Sequence, residues 1–446
     1  MGNGFDASAS PEPSPAVALE TAVADVAHHA ASPAGGRAES ALSDPMFRRL
    51  WCGAAVSNAG TWMQSISVPY VIFTMTGSVS WVGLAASAAL IPSIVVTPLG
   101  GAVADRYPRR TVLLAANAVQ ALLATALSVT WVAGIRSPAL VLTVGAVAGL
   151  LSSATNSAWH ALISDVVPAR LVPSAVSLNS MQVSVGKAVG PAIGGIVLSA
   201  FGASLAFGLN AISFGVILTA LVGVRPRTSR PARTSGLLAE TRAGVALVWS
   251  DPTLRRALLL TIAITSLANP LLQLAAPFAS EQLDGGAGLV GVLVGAYGGG
   301  SVLGAMLLAR LVREGRRGRV ITSGMTTLGG VVALTGAVAR PWVAVIAFGV
   351  HGLVYIVTMS PLLATFHLRV APAMRGRAVS VYLVGFTAFL GIGSFVWSAI
   401  ADVTGIRAPV VGAGIVLSIV GAWAWFGSDR LEVGPSAPVP DQPVGR

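Results

Sequence analysis

Long apolar runs separated by short polar breaks fill this chain from position 48 to position 427. They fall at roughly 48–73, 80–104, 110–133, 138–160, 173–199 and 203–223, then at 257–280, 288–312, 319–339, 342–365, 377–401 and 407–427. A helix rises about 1.5 Å per residue, so about 20 apolar residues cross the hydrocarbon of a bilayer. The pattern predicts an all-α membrane protein with twelve transmembrane helices in two sets of six. It divides the chain into an N-terminal bundle (44–224), a central loop (225–250) and a C-terminal bundle (251–427). The ends, 1–43 and 428–446, are polar, Pro-rich and without periodicity, and are expected to be disordered cytoplasmic tails. Residues 1–43 lack a basic stretch followed by a short apolar run, so the first spanning helix is expected to act as the insertion signal.

Within the central loop the first part is rich in Arg, Pro, Ser and Thr and reads as a linker. From Leu237 to Trp249, apolar positions 238, 245, 246 and 249 stand against Glu240, Thr241 and Arg242. That spacing fits a short helix on the membrane surface, or equally a capped extension of the linker.

Charge sets the orientation. Arg48, Arg49, Arg106, Arg109, Arg110, Arg170, the arginines of the central loop, those at 310–319 and those at 369–377 fall on one side if the helices alternate. Only Arg136, Arg340 and Arg407 are loop cations on the other. The positive-inside rule then places both termini in the cytoplasm, in the cytoplasmic membrane. With 54% hydrophobic and 10% charged residues the chain cannot cover a water-soluble surface, which takes about 25% charged residues. The net charge of +11 therefore reports topology rather than nucleic-acid binding. A single Cys52 and five scattered His exclude a disulfide framework and offer no ligand spacing, so no metal and no cofactor are expected.

The two sets of six look duplicated. Asp44-Pro45-Met46-Phe47-Arg48-Arg49 opens the first set and Asp251-Pro252-Thr253-Leu254-Arg255-Arg256 the second, an offset of 207. Ala175-Val176-Ser177 is matched by Ala378-Val379-Ser380 at an offset of 203, which pairs Gly190 with Gly393 and Gly202 with Gly405.

Two stretches carry candidate mechanism. Gly100-Gly101-Ala102-Val103-Ala104-Asp105-Arg106-Tyr107-Pro108-Arg109-Arg110 joins the second and third segments. Its acid among arginines is either a helix cap in a topogenic loop or an electrostatic latch. In the fifth segment, Gly186, Gly190 and Gly194 recur every four residues, share one flank and allow close helix approach. Pro191 leaves the carbonyl of Lys187 without its helical partner, which predicts a bend. Lys187, the only lysine, lies near mid-membrane, where a lysine costs about 2.5–3.5 kcal/mol. It either hydrogen-bonds helix-end carbonyls or lines a wet cavity beside the arc of Asn179, Gln182, Gly186 and Gly190. Asn58 and Gln64 in the first segment, Asn269 and Gln273 in the seventh, and the aromatic Trp62, Tyr355 and Phe386 are further cavity candidates. No Asp or Glu stands at mid-membrane, which leaves Lys187, His351, Glu281, Asp402 and the Asp105 cluster for proton coupling.

Gly-x-x-x-Asp-Arg-x-x-Arg-Arg, from Gly101 to Arg110, resembles the loop signature of the major facilitator superfamily. Gly186-x-x-x-Gly190-Pro191-x-x-Gly194-Gly195 resembles its antiporter motif, typical of drug exporters. Ser57-Asn58-Ala59-Gly60-Thr61-Trp62-Met63-Gln64, with 167–180 and 237–256, is similar to the branch of enterobactin-type siderophore exporters, or transmembrane secretion effectors. The resemblance covers about 44–427. It implies that Gly101, Asp105, Arg106, Arg109 and Arg110 form a cytoplasmic gate. It also implies that Gly186, Gly190, Pro191, Gly194 and Gly195 pack the fifth helix on the opposite half. Two departures stand out: 143–149 has no cation, and the second-half loop from Leu308 lacks the acid of the motif.

The expectation is a secondary exporter, not an enzyme, that moves a small amphipathic organic compound outward by alternating access, with proton antiport, as a monomer. An antibiotic, a secondary metabolite or a siderophore would suit it, and Lys187 favours neutral or anionic compounds. An importer of the same fold is the alternative, and a non-transporting sensor a more distant one.

Overall fold

Two aspartates start equivalent helices in the same way. Asp44 accepts hydrogen bonds from the N–H groups of Met46 and Phe47 at 2.9 and 3.0 Å. Asp251 accepts from Thr253 and Leu254 at 2.8 and 3.2 Å. Each is followed by proline at the first helical position, where a missing N–H costs nothing.

The computed structural model describes residues 40–224, 237–311 and 316–431, and among them there is no strand. The expected tails and the first part of the linker lie outside these residues. The helices in order are α1 Pro45–Thr76, α2 Val79–Arg106, α3 Arg109–Val132, α4 Pro138–Val166 and α5 Val172–Val222. Then come α6 Leu237–Ser250, α7 Pro252–Leu267, α8 Pro270–Gln273, α9 Ala275–Pro277 and a π turn at Phe278–Gln282. The chain closes with α10 Ala287–Leu311, α11 Arg317–Ala337, α12 Pro341–Arg369, α13 Pro372–Thr404 and α14 Arg407–Trp425.

Among the described residues nine helical stretches are long and apolar enough to cross a membrane. The longest, 169–222, is broken at Gly202, whose φ of 80° and ψ of 177° suit glycine alone, so it supplies two crossing lengths. Both α1 and α2 have the length to cross without standing among the nine. Each predicted apolar run is helical over most of its described length, with one correction. The seventh run, expected to be continuous over 257–280, stops at Leu267 and resumes as α8, α9 and the π turn. Pro270 removes an N–H there, and a membrane helix tolerates such a break only where neighbouring protein satisfies the freed groups.

The duplication is visible in the geometry. Arg49 donates to the Thr219 carbonyl at the end of α5, and Arg256 donates to the Ala424 carbonyl at the end of α14. Gly405 repeats the left-handed backbone of Gly202, with φ 76° and ψ 157°. A Cβ on Gly190 would lie 3.2 Å from the Ala59 carbonyl, and one on Gly393 would lie 2.7 Å from the Ser266 carbonyl. Ala59 and Ser266 are themselves 207 apart, so the α5–α1 and α13–α7 contacts are the same contact made twice.

Because lipid offers helices no hydrophobic drive to associate, small residues and polar bonds hold the bundle. One apolar cluster joins α1, α3, α4 and α5 around Phe47, Leu113, Leu162 and Phe214. A larger one runs through α7 to α14 and reaches α1, α2 and α5 at Ile72, Val82 and Phe207. The helix α6 packs on α13, where a Cβ on Gly244 would stand 2.8 Å from the Arg377 carbonyl, and it leaves Val245 and Trp249 exposed.

A cleft between two pairs of helices

The two helix pairs that join the sets of six are α5 with α10 and α2 with α13, and among the described side chains they meet around Gly195 and Gly291 and over Val79 to Ile91. A Cβ on Gly195 would lie 2.6 Å from the Cα of Gly291, and the Pro191 carbonyl lies 3.0 Å from a Cβ on Gly291. Along the same face of α5, one turn and more towards its start, stand Lys187, Ser180 and Val176, and all three are exposed. Along the same face of α10, past Gly291, Gly298 is still buried, and Val302 and Met306 further on are exposed. Among the described side chains, the facing walls are therefore uncovered towards the start of α5 and, from Val302 on, towards the end of α10. That is the end at which α2 leads into the Asp105 motif, here called the motif end.

The second pair meets over the first half of α2. Asp402, at the end of α13, accepts from the Ser78 hydroxyl at 2.7 Å and from the N–H groups of Val79 and Ser80 at 2.6 and 3.1 Å. A carboxylate from one set thus caps the first turn of α2 in the other, a favourable place for negative charge. Further along, the Ser87 hydroxyl donates to the Gly391 carbonyl at 2.8 Å, and a Cβ on Gly391 would lie 3.5 Å from the Leu90 Cβ. Towards the motif end, Val384 and Ser380 on that face of α13 are exposed. Glu281, beside Asp402, has its carboxyl raised above the usual range by burial and then by the Asp402 charge, against the pull of the Ile406 N–H.

On the α5 wall the glycine flank faces α1. A Cβ on Gly186 would lie 3.2 Å from Trp62 Cδ1, one on Gly190 2.5 Å from Trp62 Cβ, and one on Gly194 2.9 Å from Met63 Cα. Three of the motif's glycines therefore seat α5 on a helix of its own set, and Gly195 alone meets the opposite set. The helix stays regular through Pro191, and its backbone break comes at Gly202. The ammonium of Lys187 stands 5.4 Å from the centre of the Trp62 ring. Asn58 is half-buried close to Gly186.

The other polar candidates separate. Asn179 accepts from the Trp159 indole at 2.9 Å, and Gln64 accepts from Asn210 at 2.6 Å, so both are tied into the first set. Gln182 is 4% exposed, with neither amide atom hydrogen-bonded. In the second set Asn269 stands at the break after α7 and donates to the Tyr355 hydroxyl at 3.1 Å. His351 is fully buried, and neither ring nitrogen has a partner. Its ring packs edge-on to Tyr297 at 5.2 Å and to Tyr355 at 6.3 Å. Gln273 and Phe386 are half-buried.

At the motif end, the surroundings of Gly101 and the side chains of Asp105 and Arg106 lie outside what the structure describes. Arg109 pairs with Asp165 on α4, and Arg110 donates to the Leu221 and Val222 carbonyls that close α5. Sequence reasoning missed Gly291, Asn210 and the capping role of Asp402. Gly288 and Gly291 carried a signal in their spacing, and Asn269-Pro270 signalled the break. Nothing local announced the partner of Asp402.

A sequence profile described as "Transmembrane secretion effector" matches residues 37–438. The chain is 26% identical over 409 residues to the multidrug efflux pump Tap of Mycobacterium tuberculosis, which covers 87% of this chain and 94% of that protein. It is 24% identical over 290 residues to the enterobactin exporter EntS of Shigella flexneri, covering 65% and 68%. Among solved structures it resembles the nucleoside transporter NupG with a TM-score of 0.69 at 12% identity, covering 85% and 100%. It also resembles a bacterial homologue of the lysosomal transporter Spinster, in an inward-facing conformation, with a TM-score of 0.67 at 15% identity, covering 89% and 98%.

Proposed function

The chain belongs to the transmembrane secretion effector family, and on that premise we propose that it exports a small amphipathic organic compound in exchange for protons. As a major facilitator transporter it is a multi-pass membrane protein that carries small molecules and is not an enzyme. The observation that carries the proposal is the cleft. Facing walls of α5 and α10 join around Gly195 and Gly291, those of α2 and α13 join over Val79 to Ile91, and described side chains of α5, α10 and α13 nearer the motif end are exposed, which supports alternating access between two bundles. The bundles are 44–224 and 251–427, and a single copy suffices.

The motif end, rich in arginine, is cytoplasmic, so this conformation receives its cargo from inside the cell, across the inner membrane. Gly101, Asp105, Arg106, Arg109 and Arg110 form the gate at that end, and Arg109 and Arg110 are parked on α4 and α5 while it is open. Of the coupling candidates, His351 fits best. It is buried with both nitrogens free, whereas Asp402 is engaged as a helix cap and Lys187 faces the open cleft.

The test is accumulation of candidate compounds in cells with and without the protein, with and without an uncoupler. Lower accumulation that depends on the proton gradient is the expected result. Outward-to-inward flux of the same compound in right-side-out vesicles would sink the export reading.

A further inference from the structure

The α5 wall of the cleft bears one charge, and we infer that Lys187 and Trp62 together recognise an aromatic organic anion as the exported compound, a reading that rests on the exporter proposal. Lys187 sits deep in the bundle and is nevertheless exposed, which is the condition of a group lining an open cleft. It lies on the face that, at Pro191 and Gly195, is covered by α10, and just below the point where that cover ends. Its ammonium is 5.4 Å from the centre of the Trp62 ring. Contact of that kind steadies the amine without neutralising it.

No carboxylate among the described residues stands within ion-pair distance of Lys187. The described ion pairs, Arg109–Asp165 and Arg369–Asp251, involve none of the cleft wall. Asp402 is spent on the first turn of α2 at the far end. An ammonium at mid-membrane depth without a fixed counter-ion is costly, and cargo that brings the counter-ion relieves that cost. The indole, meanwhile, is held in place. Gly186 and Gly190 let α5 press against Trp62, so the ring is fixed before cargo arrives. A fixed indole beside a free ammonium suits a flat ring carrying one carboxylate, sulfonate or phenolate, the ring in offset contact with Trp62 and the anion on Lys187. The same arrangement rejects cations.

Three probes with one ring separate the contributions: 2-naphthoate, 2-naphthamide and 2-naphthylmethylammonium, measured by equilibrium dialysis on the purified full chain in detergent. The expected order is naphthoate tightest, with naphthylmethylammonium about tenfold or more weaker. Lys187→Arg keeps the order, Lys187→Gln abolishes the preference for the anion, and Lys187→Glu reverses it. Trp62→Leu weakens all three and leaves the order intact. Equal binding of the three probes, no binding of any, or an order unchanged in Lys187→Gln or Lys187→Glu overturns the assignment. A circular-dichroism melt of each variant guards against misfolding. If Lys187→Glu fails to fold, the Lys187→Gln comparison decides. Because binding is read without flux, its failure is distinct from failure of the exporter reading, which the direction of transport decides.

Discussion

Glu281 and Asp251 are both carboxylates outside the spanning segments, and their surroundings push them in opposite directions. Burial and the nearby Asp402 charge raise the proton affinity of Glu281 on folding, so the fold favours its neutral form. Its contribution to stability is therefore greatest below its unfolded value of about 4.3 and falls as pH rises through the folded one. Glu281→Gln is expected to melt slightly higher than the parent at pH 7, with the difference gone below about pH 4. For Asp251, burial opposes the charge but is outweighed by the Arg369 hydrogen bond and by the N–H groups of Leu254 and Thr253, so its carboxyl is held below the usual range. That stabilisation is full above its unfolded value of about 3.9 and is lost as pH falls through the folded one. Asp251→Ala should cost about 1 kcal/mol at pH 7, the usual worth of an N-cap, and less in acid. Thermal unfolding across pH reads both variants. Asp251 was legible as a helix start, since Asp-Pro before an apolar run announces a cap. The neighbour that perturbs Glu281 was not, because Asp402 is 121 positions away and only the fold brings it near.

At the scale of helices, the glycines set how closely walls approach. At Gly195 and Gly291 two backbones nearly touch, and a side chain on either must part α5 from α10. Gly195→Leu is expected to disfavour this conformation and to stop transport while the protein still inserts, measured as lost export with normal membrane abundance. Gly202 and Gly405 do different work, reversing the chain with backbone angles that other residues reach only under strain of about 1–3 kcal/mol. Alanine at either should lower the melting temperature by a similar amount, since the two are equivalents in a duplicated half. The helices themselves were written plainly in the apolar runs, and so was the duplication, through Asp-Pro and Gly202 with Gly405. The break after Leu267 was masked by unbroken hydropathy, which registers burial in lipid and not the missing N–H of Pro270.

For the whole molecule, the decisive property is that the described walls join around Gly195 and Gly291 and over Val79 to Ile91, with exposed side chains nearer the motif end. The Leu90 Cβ lies 3.5 Å from a Cβ on Gly391, within the span a disulfide bridges. With Cys52, which is exposed, changed to Ser, the pair Leu90→Cys and Gly391→Cys should cross-link and fix that contact shut. Export should stop on oxidation and return with reductant. Transport that persists through complete cross-linking would mean that the two ends do not open in turn. Such a cleft cannot be read from one chain's pattern. Hydropathy marks which residues lie in the membrane, while the splay depends on contacts such as Asp402 with Val79, 323 residues apart.

The single lysine also gives the protein a chemical address. All other basic side chains, histidine aside, are arginines, so an acylating reagent aimed at primary amines has one side-chain target, and that target sits on the cleft wall. Mass spectrometry of one peptide would then report, from whichever face of the membrane the reagent is supplied, how often the interior is reachable from that face.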